Sequence, residues 1–140
     1  MKITTYLNFG GNCAEALQFY EKHLGGKVLM MMKHSEVPGM KAPPGMEDLV
    51  MHARITIANT DIMASDAQPG VFQPMRSAYL ALGTDTSEDA ERFYAALSEG
   101  GEVFMAMQET FFAHRFAMLR DKYGINWMII HEKPMGPPSA

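Results

Sequence analysis

Read for its alternation of apolar and polar positions, the chain runs through one series of elements and then starts again. Residues 3–9 alternate, with Leu7 and Phe9 on one side of a predicted strand and Tyr6 and Asn8 on the other. Gly10-Gly11-Asn12 signals a turn, and Asn12 is a residue type that caps helices. Ala14, Leu17, Phe19/Tyr20 and Leu24 then recur at helical spacing, until Gly25-Gly26 ends the helix. Residues 27–37 predict a second strand. Residues 35–49, punctuated by Pro38, Pro43 and Pro44, predict a long loop of the kind that is mobile or functional, and a lid is one reading. Residues 50–58 form the clearest strand, with His52, Arg54 and Thr56 opposite Ala53, Ile55 and Ile57. A turn at residues 59–61 leads into a fourth strand over residues 62–66.

The second pass follows a linker at residues 68–77. Residues 6–20, YLNFGGNCAEALQFY, return as residues 79–94, YLALGTDTSEDAERFY. The helix exits match too, GGKVLM at residues 25–30 and GGEVFM at residues 100–105, and IMAS at residues 62–65 has its counterpart in WMII at residues 127–130. Strands are predicted at residues 79–83, 102–108, 112–119 and 125–131. Thr86 or Ser87 caps the second helix, and Glu88 and Asp89 sit in its first turn, where the helix dipole favours them. The fold class is therefore α+β. It comprises two β-α-β-β-β modules, residues 3–67 and 78–132, in one domain of 140 residues, with a flexible tail at residues 133–140.

Composition narrows the function classes. Apolar residues make up 47% and the net charge is −4, which describes a globular chain with no basic footprint for nucleic acid. No apolar run is long enough for a signal peptide or a membrane helix, so the expected location is the cytoplasm. Cys13 is the sole cysteine, so no intrachain disulfide forms, and its place at a helix start beside no obvious base reads as a buried small residue. The 14 methionines read as core filler, or as the lining of a pocket that adapts to varied apolar ligands. Neither a Gly-x-Gly-x-x-Gly turn nor a Gly-x₄-Gly-Lys-(Ser/Thr) loop is present, and no cofactor is implied.

The segments GNCAEALQFY, HARITIANTDIMASDA (residues 52–67) and QETFFAHRFAMLRDKYGINWMI (residues 108–129) resemble the PhnB-like branch of the vicinal oxygen chelate superfamily, the glyoxalase/bleomycin resistance/dioxygenase fold. Relatives there are often labelled 3-demethylubiquinone-9 3-methyltransferase-like. The resemblance covers nearly the whole chain. It implies two half-barrels whose helices cover the convex face and whose sheets share a small-molecule pocket, and it implies a homodimer. In metal-dependent members, four inward positions on the first and fourth strands of each module chelate a divalent ion.

Strand parity puts Tyr6, Met63, Tyr79 and Met128 at those four positions, with Asn8 and Ser65 beside them. Zn²⁺, Mg²⁺, Mn²⁺ and Ni²⁺ take imidazole, carboxylate or thiolate, so the usual metal site is expected to be absent. Two phenols and two thioethers suit a planar or apolar ligand instead. Arg54 is a candidate contact for a carboxylate or phosphate, or else a surface partner of Glu47 or Asp48. His52 and His114, in HAR and HRF, are expected at similar places in the two modules. There they are candidates for an acid/base pair, or for an alternative metal site with Glu109 or Asp66. Asp66 alternatively caps a turn, and Trp127, Phe111 and Phe112 read as core. Two functions follow: a metal-free small-molecule binder, or an enzyme working through His52 and His114.

Overall fold

The structure, a computed structural model, describes residues 1–134; most of the tail expected to be flexible lies outside them. The chain divides into two compact units, Met1–Pro74 and a second beginning at Met75. The first unit contains β1 (Thr5–Phe9), α1 (Cys13–Leu24), β2 (Lys27–Lys33), β3 (Val50–Ile57) and β4 (Thr60–Asp66). The second contains β5 (Leu80–Gly83), α2 (Ser87–Ser98), β6 (Glu102–Gln108), β7 (Ala113–Arg120) and β8 (Asn126–Glu132). Their sheets have matching orders, β1-β4-β3-β2 and β5-β8-β7-β6, with the first pair parallel in each and the rest antiparallel. Each unit is thus one βαβββ module, and the fold is α+β.

Within each unit the helix lies against its own sheet. Helix α1 buries Cys13, Ala16, Leu17, Tyr20 and Leu24, and the sheet buries Leu7, Phe9, Ala53, Ile55, Ile57, Ile62 and Ala64. In the strands these are the positions set opposite Tyr6, Asn8, His52, Arg54 and Met63, because neighbouring strand residues point to opposite faces; on the helix Ala16 is buried where Ala14 was expected. Helix α2 buries Ala90 and Leu97, while β7 and β8 bury Ala117, Leu119, Trp127 and Ile129.

Both helices follow a turn, but their starts differ. Thr86 caps α2 as expected, its Oγ1 accepting from Asp89 N at 3.1 Å. Asn12 stands at the cap position of α1, yet its side chain makes no capping bond and its Oδ1 is buried without a hydrogen-bond partner. The buried Asp66 carboxylate does that work: Oδ1 accepts from Gly11 N at 3.0 Å and Cys13 N at 2.9 Å, and Oδ2 from Val50 N at 2.9 Å. Asp66 is therefore neither a free base nor the cap of its own turn. It joins the end of β4 to the starts of α1 and β3.

Several details differ from their expected places. Strand β2 ends at Lys33, because Glu36 accepts from Lys33 N and the chain turns through a short 3-10 segment, His34–Glu36. The loop that follows closes on His34 and Met51 around a cavity of about 250 Å³. Tyr79 precedes β5, which begins at Leu80. Phe111, expected in the core, is 93% exposed, and only Phe112 continues inward, edge-on to Phe116 at 5.1 Å.

Candidate functional site

The face of the first sheet turned away from α1 carries most of the polar and aromatic side chains predicted to bind. Ladder register aligns four of its residues in one row across all four strands: Met30 pairs with Arg54, Arg54 with Met63, and Met63 with Tyr6. Tyr6 is 45% exposed, and Arg54, Met63 and Met30 are half-buried. Beside the row, Tyr6 Oη lies 3.3 Å from His52 Nδ1 with the rings stacked, and Asn8 Nδ2 donates to Ser65 Oγ at 2.9 Å. The imidazole tautomer sets which partner of this contact donates: with Nδ1 accepting from the phenol, the ring carries its proton on Nε2.

Register shows where the internal repeat is faithful and where it slips. Each copy has the same irregularity in its edge strand, between Val28 and Met30 and between Val103 and Met105. In the second unit Met105 pairs with Met118, Met118 with Met128, and Met128 with Ala81. The row Met30–Arg54–Met63–Tyr6 thus has the counterpart Met105–Met118–Met128–Ala81. Sequence likeness sets Tyr79 against Tyr6, but the ladder gives that slot to Ala81, two residues on. Strand β5 is displaced along β8 relative to the first module, and letter-by-letter matching does not see such a shift.

The same register separates the two histidines. His52 lies on β3 beside Tyr6, whereas His114 stands at an irregularity in β7, between Ala113 and Arg115. Its ring is 4.7 Å from that of His131, whose Nδ1 is 2.9 Å from Ser87 Oγ at the start of α2. Glu109, offered as a metal partner, is engaged by Lys133 at 3.1 Å, and that hydrogen bond and charge hold its carboxyl below its ordinary pKa. Among the described residues no three His, Cys, Asp or Glu side chains cluster to hold a metal ion. In the first unit the ladder puts the Tyr6 phenol beside the Met63 thioether, and in the second it puts the Ala81 methyl beside the Met128 thioether; neither pair fits a hard or borderline divalent cation.

The two arginines turned away from the helices contrast sharply. Arg120 is tied down on every side: Nε donates to Asn126 Oδ1 at 3.1 Å, Nη2 to Met75 O at 2.6 Å, and Glu102 is 3.8 Å from Nη1. Arg54 has a solvent-shielded Nε with no hydrogen-bond partner, and neither Glu47 nor Asp48 forms an ion pair with it. Sequence reasoning named Arg54 but missed Met30 and Met118, although the shared GGKVLM and GGEVFM segments already put Met30 opposite Met105.

The profile of the 3-demethylubiquinone-9 3-methyltransferase family matches residues 1–130. Protein YjdN of Escherichia coli (strain K12) is 36% identical, over 92% of this chain and 94% of that one. The structure of protein PA1353 from Pseudomonas aeruginosa superposes with a TM-score of 0.85 at 36% identity, covering 96% and 99% of the two chains. A putative 3-demethylubiquinone-9 3-methyltransferase, PhnB protein, from Bacillus cereus follows at 0.82 and 26%, covering 94% and 99%. At the level of fold alone, the chain resembles a glyoxylase/bleomycin resistance protein/dioxygenase domain from Frankia sp. EAN1pec, with a TM-score of 0.64, 15% identity and coverage of 95% and 98%.

Proposed function

The chain belongs to the 3-demethylubiquinone-9 3-methyltransferase family, in its PhnB-like branch, and from that premise we propose that it is a small-molecule-binding protein whose ligand lies on the Met30–Arg54–Met63–Tyr6 face. The carrying observation is the row itself. It sets two adaptable thioethers and a half-exposed aromatic ring in line, with polar tips along one side. Thioethers mould to irregular apolar shapes, a phenol offers a flat surface with one polar end, and a few fixed polar groups orient what binds. Asn8, Ser65 and His52 provide those groups in the first unit. In the second unit Met128 holds the matching place in that unit's own row, with Tyr79 just before β5. The protein works in this reading as a cytoplasmic homodimer, to which the exposed apolar residues Val103, Phe104 and Met105 of β6 lend a surface.

The test is NMR on protein labelled at the methionine methyls, titrated with a library of small aromatic fragments. Shifts confined to Met30 and Met63 in the first unit, lost on Tyr6→Ala, are the expected result. Fragments that shift only buried or remote methyls would count against the face.

A second reading is favoured by the Tyr6–His52 contact. A histidine exchanges protons near neutral pH, and a hydrogen-bonded phenol orients it as a general base. The enzyme would be of the glyoxalase or dioxygenase type, with His114 acting at a separate place beside His131. Turnover in such assays that His52→Gln abolishes without loss of ligand binding would favour catalysis. Retention of full turnover would remove His52 from it.

A further inference from the structure

We infer that the molecule held on this face carries an oxyanion, a carboxylate or a phosphoryl group, and that Arg54 receives it. The inference rests on reading the face as a binding surface.

Arg54 sits in β3 with Met30 on one side and Met63 on the other, so its aliphatic stem lies among apolar neighbours. Its Nε–H is shielded from solvent and donates to nothing, and no carboxylate forms an ion pair with it among the described residues. Asp61, which strand alternation puts on the same face farther along β4, is held by Lys2 at 3.6 Å. A guanidinium stays charged under all ordinary conditions, and stripping water from one of its donors without supplying an acceptor is unfavourable.

The fold does not require that arrangement. The second unit builds the same four-stranded row with Met118 in the matching slot. Where an arginine does serve the fold, at Arg120, it is satisfied by a carbonyl, an amide oxygen and a nearby carboxylate. Arg54 is therefore a cation with no ion-pair partner among the described residues, in a position that methionine fills in the other unit. The acceptor that suits it is planar or tetrahedral, bears two oxygens and engages the fork through parallel N–H···O bonds. The Met30, Met63 and Tyr6 side chains then cover the apolar body attached to that anion.

The experiment pairs charged and neutral probes of one shape. Benzoate and phenylphosphonate are titrated against benzamide and benzyl alcohol into the full chain, followed by the methyl signals of Met30 and Met63. The wild type is expected to bind the anions about tenfold more tightly than their neutral partners, the scale of one charge-assisted pair. Arg54→Met should abolish that preference, so that charged probes bind no more tightly than their neutral partners. Arg54→Lys should keep part of it, since the charge remains and the fork is lost. The Arg54→Met chain is expected to melt at or above the wild-type temperature, because methionine already occupies the matching slot of the other unit.

Equal binding of charged and neutral probes by the wild type, or an anion preference that survives Arg54→Met, would overturn the inference and leave the binding face standing. If no probe of either kind moves the two methyls at millimolar concentration, the face itself is refuted and the inference falls with it. Preference for phenylphosphonate over benzoate would assign the phosphoryl source, and the reverse order the carboxylate.

Discussion

At the scale of single residues, Asp66 is the side chain whose loss should matter most in the first unit. Its two oxygens accept from three backbone N–H groups, those of Gly11, Cys13 and Val50, the last two buried. Each unsatisfied buried donor is costly, so Asp66→Ala is expected to destabilise the chain by about 3 kcal/mol or more. Asp66→Asn, which keeps one carbonyl acceptor, should fall between. Urea unfolding measures both. Cys13 makes the second residue-level case. Burial, reinforced by the Asp66 charge beside it, pushes its thiol from 9.0 up to about 12. The native protein should therefore resist thiol reagents at pH 8 and react only when unfolded. The sign for stability follows from linkage. The folded chain holds this proton more tightly than the unfolded one, so the contribution is whole below pH 9 and is lost as pH rises toward 12. Cys13→Ala should show a shallower alkaline loss of stability than the wild type.

At the scale of elements, the paired glycines at each helix exit show how much a short motif can carry. Gly25 and Gly100 take left-handed backbone angles, φ 67° and 73°, that let the chain leave the helix at once. The second glycine of each pair is there for space. A Cβ on Gly26 would press on Ile55, Ile57 and the Thr56 carbonyl at 3.2 Å, and a Cβ on Gly101 would collide with the Arg120 carbonyl oxygen. Both substitutions to alanine should destabilise, Gly101→Ala the more, by about 3 kcal/mol against about 1 kcal/mol for Gly26→Ala. Thermal unfolding of the two variants checks the order. The reason is local: backbone cannot yield as the tip of an isoleucine can. The fourth-strand hairpin shows the opposite limit. A turn was legible at residues 59–61, yet the two-residue loop is Ala58-Asn59, both with positive φ, because Ile57 pairs with Thr60. Alanine at such a position gives no signal in the sequence.

At the scale of the whole molecule, metal content is the property most open to direct measurement. Tag-free protein purified without chelator is expected to show no stoichiometric Zn²⁺, Ni²⁺, Mn²⁺ or Fe²⁺ by mass spectrometry, since neither unit's row supplies the imidazole and carboxylate donors that such ions take. About one ion per chain would mean that some other donor set assembles, and the argument built on Tyr6 and Met63 would fail. No helix among the described residues is long and apolar enough to cross a membrane. The sequence by itself determined the doubled βαβββ order, the α+β class and the helix-facing set of the first and fourth strands, because those depend on periodicities of two and 3.6 residues that any window of the chain displays. It also singled out Tyr6, Arg54 and Met63. Only the tertiary structure decided which residues share a row, that Ala81 and not Tyr79 answers Tyr6, that His114 belongs with His131, that Asp66 closes a helix start, and that the Arg54 Nε finds no partner among the described residues. Those are facts of register and of contacts distant in sequence. A strand that slides two residues along its neighbour keeps the same alternation, while every cross-strand neighbour changes.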